Sequence, residues 1–567
     1  MASSGNFATW NAAAPNKSDI AFSSGNCGVT SGSGAYRALS TFVIPTNSGK
    51  WYVEVCMTSN SGNTSYVGIV SEKSPDLNAD GTSFNFGRSS GDKTVYFDIT
   101  VGNIITENSN SQTGLSTFSS NDDIIAMVLD MDNDTVQFYG NNSALGSAQA
   151  FPDTGDNYYI WCGGNNDKVC HINAGQDSTF GGAISAGGNA DANGFGDFKY
   201  SVPTDAKGIT TANLPISADI DPAQTDDDFP SKLMSTSNWS GSGGSKSITG
   251  LGFQPDLTLI KSADAASSDW ALFDSTRGVQ KLLEPNTTAN EETNSNSLTA
   301  FGADGFTVGS DSRVNDSGRL MTAQSWRCNA GTTSTNSEGN QDCTLQANAK
   351  AGFSIMTLAN YTSASGCTLG HGLDTAPSFY IHKPLGNSKP WHVYHSGIGA
   401  TKALILNTTA AEATAIGYFA NTEPTADVLS LGNTFAGTGD GIVYAWAEVE
   451  GYSKFSSYVG NGNADGPYVS TSHMPRCVWI KRTDSSAEWA VYFWNDTSVN
   501  SSYVSLKQNP LDSRLTFDAG SMNNGEPVDF LSNGFKIRDS DAIVNASSGN
   551  YLYCSWGSVP FKYNNTF

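Results

Sequence analysis

From residue 229 onward the same spaced landmarks occur three times. Pro255, Pro377 and Pro475 each open a short apolar run, and a lysine lies six residues later in every case: Lys261, Lys383 and Lys481. A tryptophan follows the proline by fifteen, fourteen and fourteen residues: Trp270, Trp391 and Trp489. A Phe-led strand precedes each proline, at Phe229, Phe353 and Phe455, and each copy closes on an aromatic run ending in Trp326, Trp446 or Trp556. Between them fall Glu284-Pro-Asn-Thr-Thr288 and Leu406-Asn-Thr-Thr409, with Asp304-Gly-Phe306 and Asn533-Gly-Phe535 later. So many landmarks in one order mark a single unit copied three times. The copies have diverged: the third carries Lys507-Gln-Asn-Pro510 in place of Asn-Thr-Thr, and the second lacks the Asp-Gly-Phe step. At about 100–120 residues, each copy is long enough to own a core. The expectation is three domains, 229–350, 351–452 and 453–567.

The repeated runs read as strands. In Leu257-Thr-Leu-Ile-Lys261, Leu257, Leu259 and Lys261 share one face, while Thr258 and Ile260 share the other. The repeated lysine is expected to lay its stem along the sheet and hold its ammonium at the rim. No stretch of the chain sustains an apolar 3.6-residue period, which argues against helices. Charged residues make up 15% and aromatics 11%, the balance being rich in Gly, Ser, Thr and Asn, which suits short strands joined by many turns. The fold class expected is all-β.

The first third repeats strand signals in Lys50-Trp-Tyr-Val-Glu-Val55, Tyr66-Val-Gly-Ile-Val70, Thr94-Val-Tyr-Phe-Asp98, Asp123–Asp130 and Thr135–Tyr139. The last two flank Met131-Asp-Asn-Asp134, a turn that makes them a hairpin. Together with Trp10-Asn11 and His171-Ile-Asn-Ala-Gly-Gln176 followed by Phe180-Gly181, these segments resemble the SPRY domain in that family's order. Departures are one extra residue before Phe180 and a turn after Tyr139 reading Gly-Asn-Asn instead of Asn-Gly. The resemblance covers roughly residues 5–205, within an expected first domain of 1–205, and it implies a concanavalin-like β-sandwich that recognises partners through loops rather than by catalysis. Residues 206–228 lose the strand rhythm, ending in an acidic run, and read as a connector. The triplicated part, above all Val449–Pro467 and the closing Pro560-Phe-Lys-Tyr563, resembles an uncharacterised module of tailed-phage structural proteins. That resemblance implies a virion protein, and it implies nothing about chemistry.

Net charge is −24, from 54 acidic and 30 basic residues, with no basic cluster, which argues against nucleic acid and anionic membranes as partners. Met1–Trp10 shows no basic segment leading an apolar run, so no signal peptide is expected, and no window approaches a membrane span. The nine cysteines include no Cys-x-x-Cys pair, and several sit in strand patterns, so buried reduced thiols are expected. Cys328 and Cys343 are placed to close a loop without being assigned to do so.

Few groupings point to chemistry. Asp130, Asp132 and Asp134 have the start of a calcium-loop spacing, but Thr135 and Asn141 stand where Gly and Glu are needed. His371, His382, His392 and His395 crowd the second copy; on a strand His392 and His395 face opposite ways, so solvated or hydrogen-bonded histidines are expected rather than zinc. Acid pairs such as Glu291-Glu292 and the run Asp226–Asp228 lie in polar, turn-like stretches. No catalytic residue, metal site or cofactor is assigned. Tyr158, Tyr159, Trp161 and Trp494 are the candidate binding residues, as aromatic platforms for sugars, with strand core as the competing reading. The chain is expected to be a virion-surface protein made in the host cytoplasm. Its expected place is a tail fibre or appendage, as a homo-oligomer such as a trimer, contacting other virion proteins and a host-surface glycan or receptor. The rival expectations are a capsid decoration protein without receptor binding and, behind it, a polysaccharide depolymerase.

Overall fold

The computed structural model describes residues 5–14, 20–32, 35–59, 64–74, 77, 93–165, 168–216, 218–221, 228–265, 268–361, 366–414, 417–435, 439–493, 513–516, 523–524 and 528–563. Among them α-helix is confined to two single turns, Ser312–Asn315 and Ala542–Asn545, so the all-β expectation holds. No described helix is long and apolar enough to cross a membrane. The chain divides into two compact units, one built on Met1–Pro215 and the other on Ile216–Ala464 with Thr471–Asn564.

The first unit is a sandwich of two antiparallel sheets. One runs in the order Ile20–Ser23, Gly28–Ser31, Val169–Asn173, Lys50–Ser59, Asp123–Asp130, Thr135–Gly140, Ser143–Ala150. The other runs Ala35–Ile44, Tyr158–Asn165, Ser65–Ser71, Thr94–Asp98, Asn103–Thr106, Ser109–Gln112. The Asp130/Thr135 hairpin forms in the expected register. The departing Gly-Asn-Asn turn closes as a two-residue hairpin, with Gly140 opposite Ser143 and with Asn141 and Asn142 at φ +43° and +69°. Asparagine tolerates that left-handed region, so the turn keeps its geometry without Asn-Gly. The proposed connector begins later than residue 206. Ala206–Gly208 adds in parallel to Lys50–Tyr52, and the unit runs on to Pro215. Two buried carboxylates hold that tail: Glu54 accepts from Lys199 N, Tyr200 N, Asn173 Nδ2 and Tyr52 Oη at 2.9–3.0 Å, and Asp191 accepts from Gly208 N and Asn213 Nδ2.

The second unit repeats one sheet three times. Met234–Ser240, Leu320–Trp326, Leu257–Ser262 and Ala271–Asp274 lie in that order across the first sheet. Phe353–Tyr361, Gly439–Trp446, Phe379–Pro384 and His392–His395 repeat it, as do Ser453–Val459, Asn550–Pro560, His473–Arg482 and Trp489–Phe493. Register repeats as well: Trp326 faces Leu257, Trp446 faces Phe379, and Trp556 faces Cys477. On the neighbouring strand those tryptophans face Met234, Phe353 and Ser453, so Phe229 and Phe455 are not equivalent to Phe353 as the Phe-led landmark suggested.

The three sheets are not three separately cored domains. Leu257, Leu259, Phe353, Ile355, Phe379, Ile381, Phe455, Cys477 and Trp479 turn one face into a single shared core. At its centre the rings of Trp326, Trp446 and Trp556 meet edge to face, with centroids 5.2–6.1 Å apart. Each buried indole contributes on the order of 4–6 kcal/mol of gross transfer free energy. A single copy would expose that face to water. The opposite faces close over local cores, with Ile260, Phe273 and Phe306 in the first copy and Met356, Tyr380 and Leu429 in the second.

Candidate functional site

The conspicuous repeated residues of the second unit join one copy to the next. Lys383 Nζ donates to Thr288 O in the preceding copy (3.0 Å) and to Lys389 O in its own (2.6 Å). Lys481 Nζ donates to Thr409 O (3.0 Å) and to Ala487 O. Trp391 Nε1 reaches Thr287 O (3.1 Å), and Trp489 Nε1 reaches Ile405 O (3.1 Å). The Asn-Thr-Thr element thus serves two copies: Asn286 and Asn407 accept the backbone N–H of Trp270 and Trp391 in their own copy, both at 3.0 Å, while the following threonine carbonyl caps the next lysine. All three lysines are fully buried, so the expected rim ammonium is corrected. The sheet beside each lysine is covered, and at Lys383 and Lys481 carbonyls replace the water a rim would supply. Lys261 in the first copy has no preceding copy to cap it, and its ammonium meets no hydrogen-bond acceptor among the described residues. The third copy's Lys507–Pro510 lies outside the described residues.

Other polar groups at these seams are also committed to packing. Tyr444 donates to Asp274 Oδ2 (2.7 Å), which also binds Arg277 Nε (2.6 Å), and Arg277 reaches Glu291 (3.0 Å). Glu292 pairs with Arg313 (2.9 Å), so the Glu291-Glu292 pair is occupied by arginines. Trp479 Nε1 donates to Gln324 Oε1 (3.0 Å), joining the third copy to the first. His392 and His395 do lie on one strand, but neither is solvated. His392 packs on Phe435, and His395 is bonded at Nε2 to Tyr553 O (3.2 Å). Among the described residues no three His, Cys, Asp or Glu side chains are grouped to hold a metal ion.

The proposed aromatic platform is core. Tyr158, Tyr159 and Trp161 are 0%, 2% and 1% exposed on a strand whose two faces are both covered. Trp161 packs edge-on against Tyr96, its indole N–H directed to Ile69 O and Thr94 Oγ1. Trp494 lies outside the described residues. Tyr158 nevertheless has a role, because its hydroxyl donates to Asp153 O (2.9 Å) and props up a loop at one end of the first unit.

That end is a rim of four loops, 45–49, 71–74, 131–134 and 151–157, three of them turned by Gly, Asn or Asp in backbone regions those residues tolerate, at Asn47, Gly49, Asp134 and Gly155. Asp130 accepts the N–H groups of Asp132 and Asn133 (3.3 and 3.2 Å), closing the turn that had calcium-like spacing. Asp132 accepts from Gly49 N (2.9 Å), and Asp134 from Gly155 N (3.3 Å). These carboxylates are directed at backbone amides. Asn157 links Thr46 N (2.9 Å) to Glu72 (3.0 Å), Asp156 is held by Ser71 Oγ and Lys73 (2.5 Å), and Lys93 spans Glu107 and Asp153. The loops are therefore fixed to one another while Asn47, Asp132, Asn133, Thr154 and Gly155 stay exposed at the tip. Seven acids (Glu72, Glu107, Asp130, Asp132, Asp134, Asp153 and Asp156) and two lysines (Lys73 and Lys93) line the rim, so it presents oxygen acceptors to a hydroxyl- or ammonium-bearing partner and disfavours polyanions. Sequence reading missed this constellation because its members come from four distant loops with no common spacing. The only local signal was the density of Asp, Asn and Gly around residues 130–157.

Comparison with known proteins agrees with this division. Residues 229–560 match the family model described as Domain of unknown function (DUF7483), and residues 50–177 match that of the SPRY domain. Among solved structures, the chain is similar to the SPRY domain of human HERC1 at 20% identity, covering 29% of this chain and 96% of that one, with a TM-score of 0.24. It is similar to the TRIM65 PSpry domain at 12% identity, covering 30% and 90%, with a TM-score of 0.25. A human SPRY domain matches at 13% identity, covering 27% and 93%, with a TM-score of 0.21. No curated protein matches the chain.

Proposed function

The chain belongs to the family described as Domain of unknown function (DUF7483), with a SPRY domain ahead of that region, and from this premise we propose that it is a non-enzymatic structural protein on the surface of a tailed-phage particle. Its place is a tail fibre or other appendage, where the first unit binds a host-surface glycan or protein and neighbouring virion proteins hold the second. One observation carries the reading: the conspicuous repeated polar groups of the second unit tie sheets together, whereas the first unit ends in a braced polar rim with an exposed tip. A braced rim loses little conformational entropy on contact, and copies on one particle multiply weak single contacts.

The rim commits most of its carboxylates internally, which favours a second reading, a capsid decoration protein without receptor duty. Labelling intact particles with an antibody to the chain separates the two. Signal along the tail is expected, and signal confined to the head sinks the appendage. Recognition is tested on a host-glycan array and on host cells. Asn133→Arg with Thr154→Arg, both exposed, should weaken saturable binding by about tenfold or more. Unchanged binding moves recognition elsewhere, and release of new reducing ends from host polysaccharide would make the chain an enzyme.

A further inference from the structure

We propose that Cys162 and Cys170 form a disulfide that joins the two sheets of the first unit. Cys162 lies on Tyr158–Asn165 in the six-stranded sheet, and Cys170 lies on Val169–Asn173 in the facing sheet. Their sulfurs approach to 2.7 Å in the sandwich interior, and both residues are fully buried. Unbonded heavy atoms settle at about 3.5–4 Å, whereas bonded sulfurs lie at about 2.05 Å. The approach is thus well inside contact distance, and closing the bond asks for a shift of under about 1 Å. The pair is also selected against its neighbour. Cys170 is paired across the ladder with Met57 and so shares its face, while Cys56 is paired with His171 and packs with Ile124 and Phe180 on the other side of that sheet.

Burial pushes the Cys162 thiol well above its ordinary value, so in the packed protein little thiolate is present to react. The bond therefore forms while the strands are docking, and burial then shields it from reductants. The oxidant is a low-molecular-weight disulfide of the glutathione type. One cysteine thiolate attacks it, forming a mixed disulfide and expelling a thiolate; the second cysteine thiolate attacks the protein-side sulfur and expels the other. The cysteine pair loses two electrons, the small disulfide gains them, and the two thiol protons leave on the two small thiols released.

Lys168 lies between the cysteines, which makes the test unambiguous. Full-length protein is refolded in a buffer of oxidised and reduced glutathione, its remaining thiols are alkylated in denaturant, and the chain is cut with trypsin without reduction. The peptide ending at Lys168 contains Cys162 as its single cysteine, and the peptide beginning at Val169 contains Cys170 as its single cysteine. They should stay joined at about 2 Da below the sum of the free peptides and separate on reduction. The oxidised protein should also unfold at a higher urea concentration than protein kept reduced, and Cys162→Ser should abolish that difference. Separate recovery of both peptides in alkylated form, or their linkage to other cysteines, overturns the proposal.

Discussion

All six histidines are buried: His171, His371, His382, His392, His395 and His473. His395 shows why this matters, since it meets Tyr553 O at Nε2 and accepts Gly397 N–H at Nδ1 (3.0 Å), a pairing that needs the neutral ring with its proton on Nε2. Burial pushes His395 down to about 4 and His392 and His473 to about 3, with His382 displaced in the same direction. The unfolded chain takes up these protons near pH ~6.5, so the folded state binds fewer protons below that point. This stability is complete above about pH 6.5 and drains away as pH falls toward 4. At pH 5 the loss is on the order of 2 kcal/mol per histidine. The net charge of −24 acts the other way, because protonating carboxylates relieves self-repulsion, so the comparison belongs in high salt where that term is screened. Urea midpoints should fall from pH 7.5 to pH 5, and His395→Gln should flatten part of the slope. Equal midpoints at the two pH values would refute the assignment of neutral buried rings.

At the scale of elements, the Asn-Thr-Thr loop is a joint between strands of two copies. Removing the Asn407 amide by Asn407→Ala strips the acceptor from Trp391 N while leaving the Thr409 carbonyl on Lys481, and should cost about 1–2 kcal/mol. Lys481→Met removes the ammonium that donates to Ala487 O and Thr409 O and should cost more, about 2–4 kcal/mol, because a buried charge-assisted donor to two carbonyls is lost, although Thr409 O keeps the Ala487 N–H (2.9 Å) and the Ser486 hydroxyl (3.2 Å). Chemical denaturation of the two variants checks the order; equal costs would mean that the joint is held by packing alone. These elements were legible as a pattern because their function depends on spacing: a lysine six residues past a proline always meets the same place in the sheet. What they bond to was not legible, since the acceptor carbonyl sits in the neighbouring copy. A second pattern went unread. Asp311-Ser-Arg-Val-Asn315 and Asp541-Ala-Ile-Val-Asn545 each form a one-turn helix capped by the aspartate, and the asparagine amide donates into loop carbonyls. The aromatic residues Tyr158, Tyr159 and Trp161 were misplaced for the opposite reason. Alternation says which side chains share a face, but a sandwich strand between two covered faces has no wet side to find.

For the whole molecule, the decisive fact is that the repeat is visible in sequence while the sharing of its core is not. A copy that buries its own strands and a copy that buries them against its neighbours have the same alternation, and only the meeting of Trp326, Trp446 and Trp556 distinguishes them. The energetic consequence is large. A fragment holding residues 229–350 alone would leave Leu257, Leu259, Trp270 and Trp326 facing water, whereas residues 216–567 keep that core closed. The longer fragment should therefore unfold in a single transition, with tryptophan fluorescence and circular dichroism reporting the same midpoint. The shorter one should bind hydrophobic dyes, give poorly dispersed amide resonances and show no cooperative melt. Trp446→Ala, which empties the centre, should lower the stability of all three sheets together by about 3–5 kcal/mol rather than melt the second copy alone. Three separate transitions in residues 216–567, or a well-folded 229–350 fragment, would mean that the copies are independent after all and that the tryptophan cluster is merely where they touch.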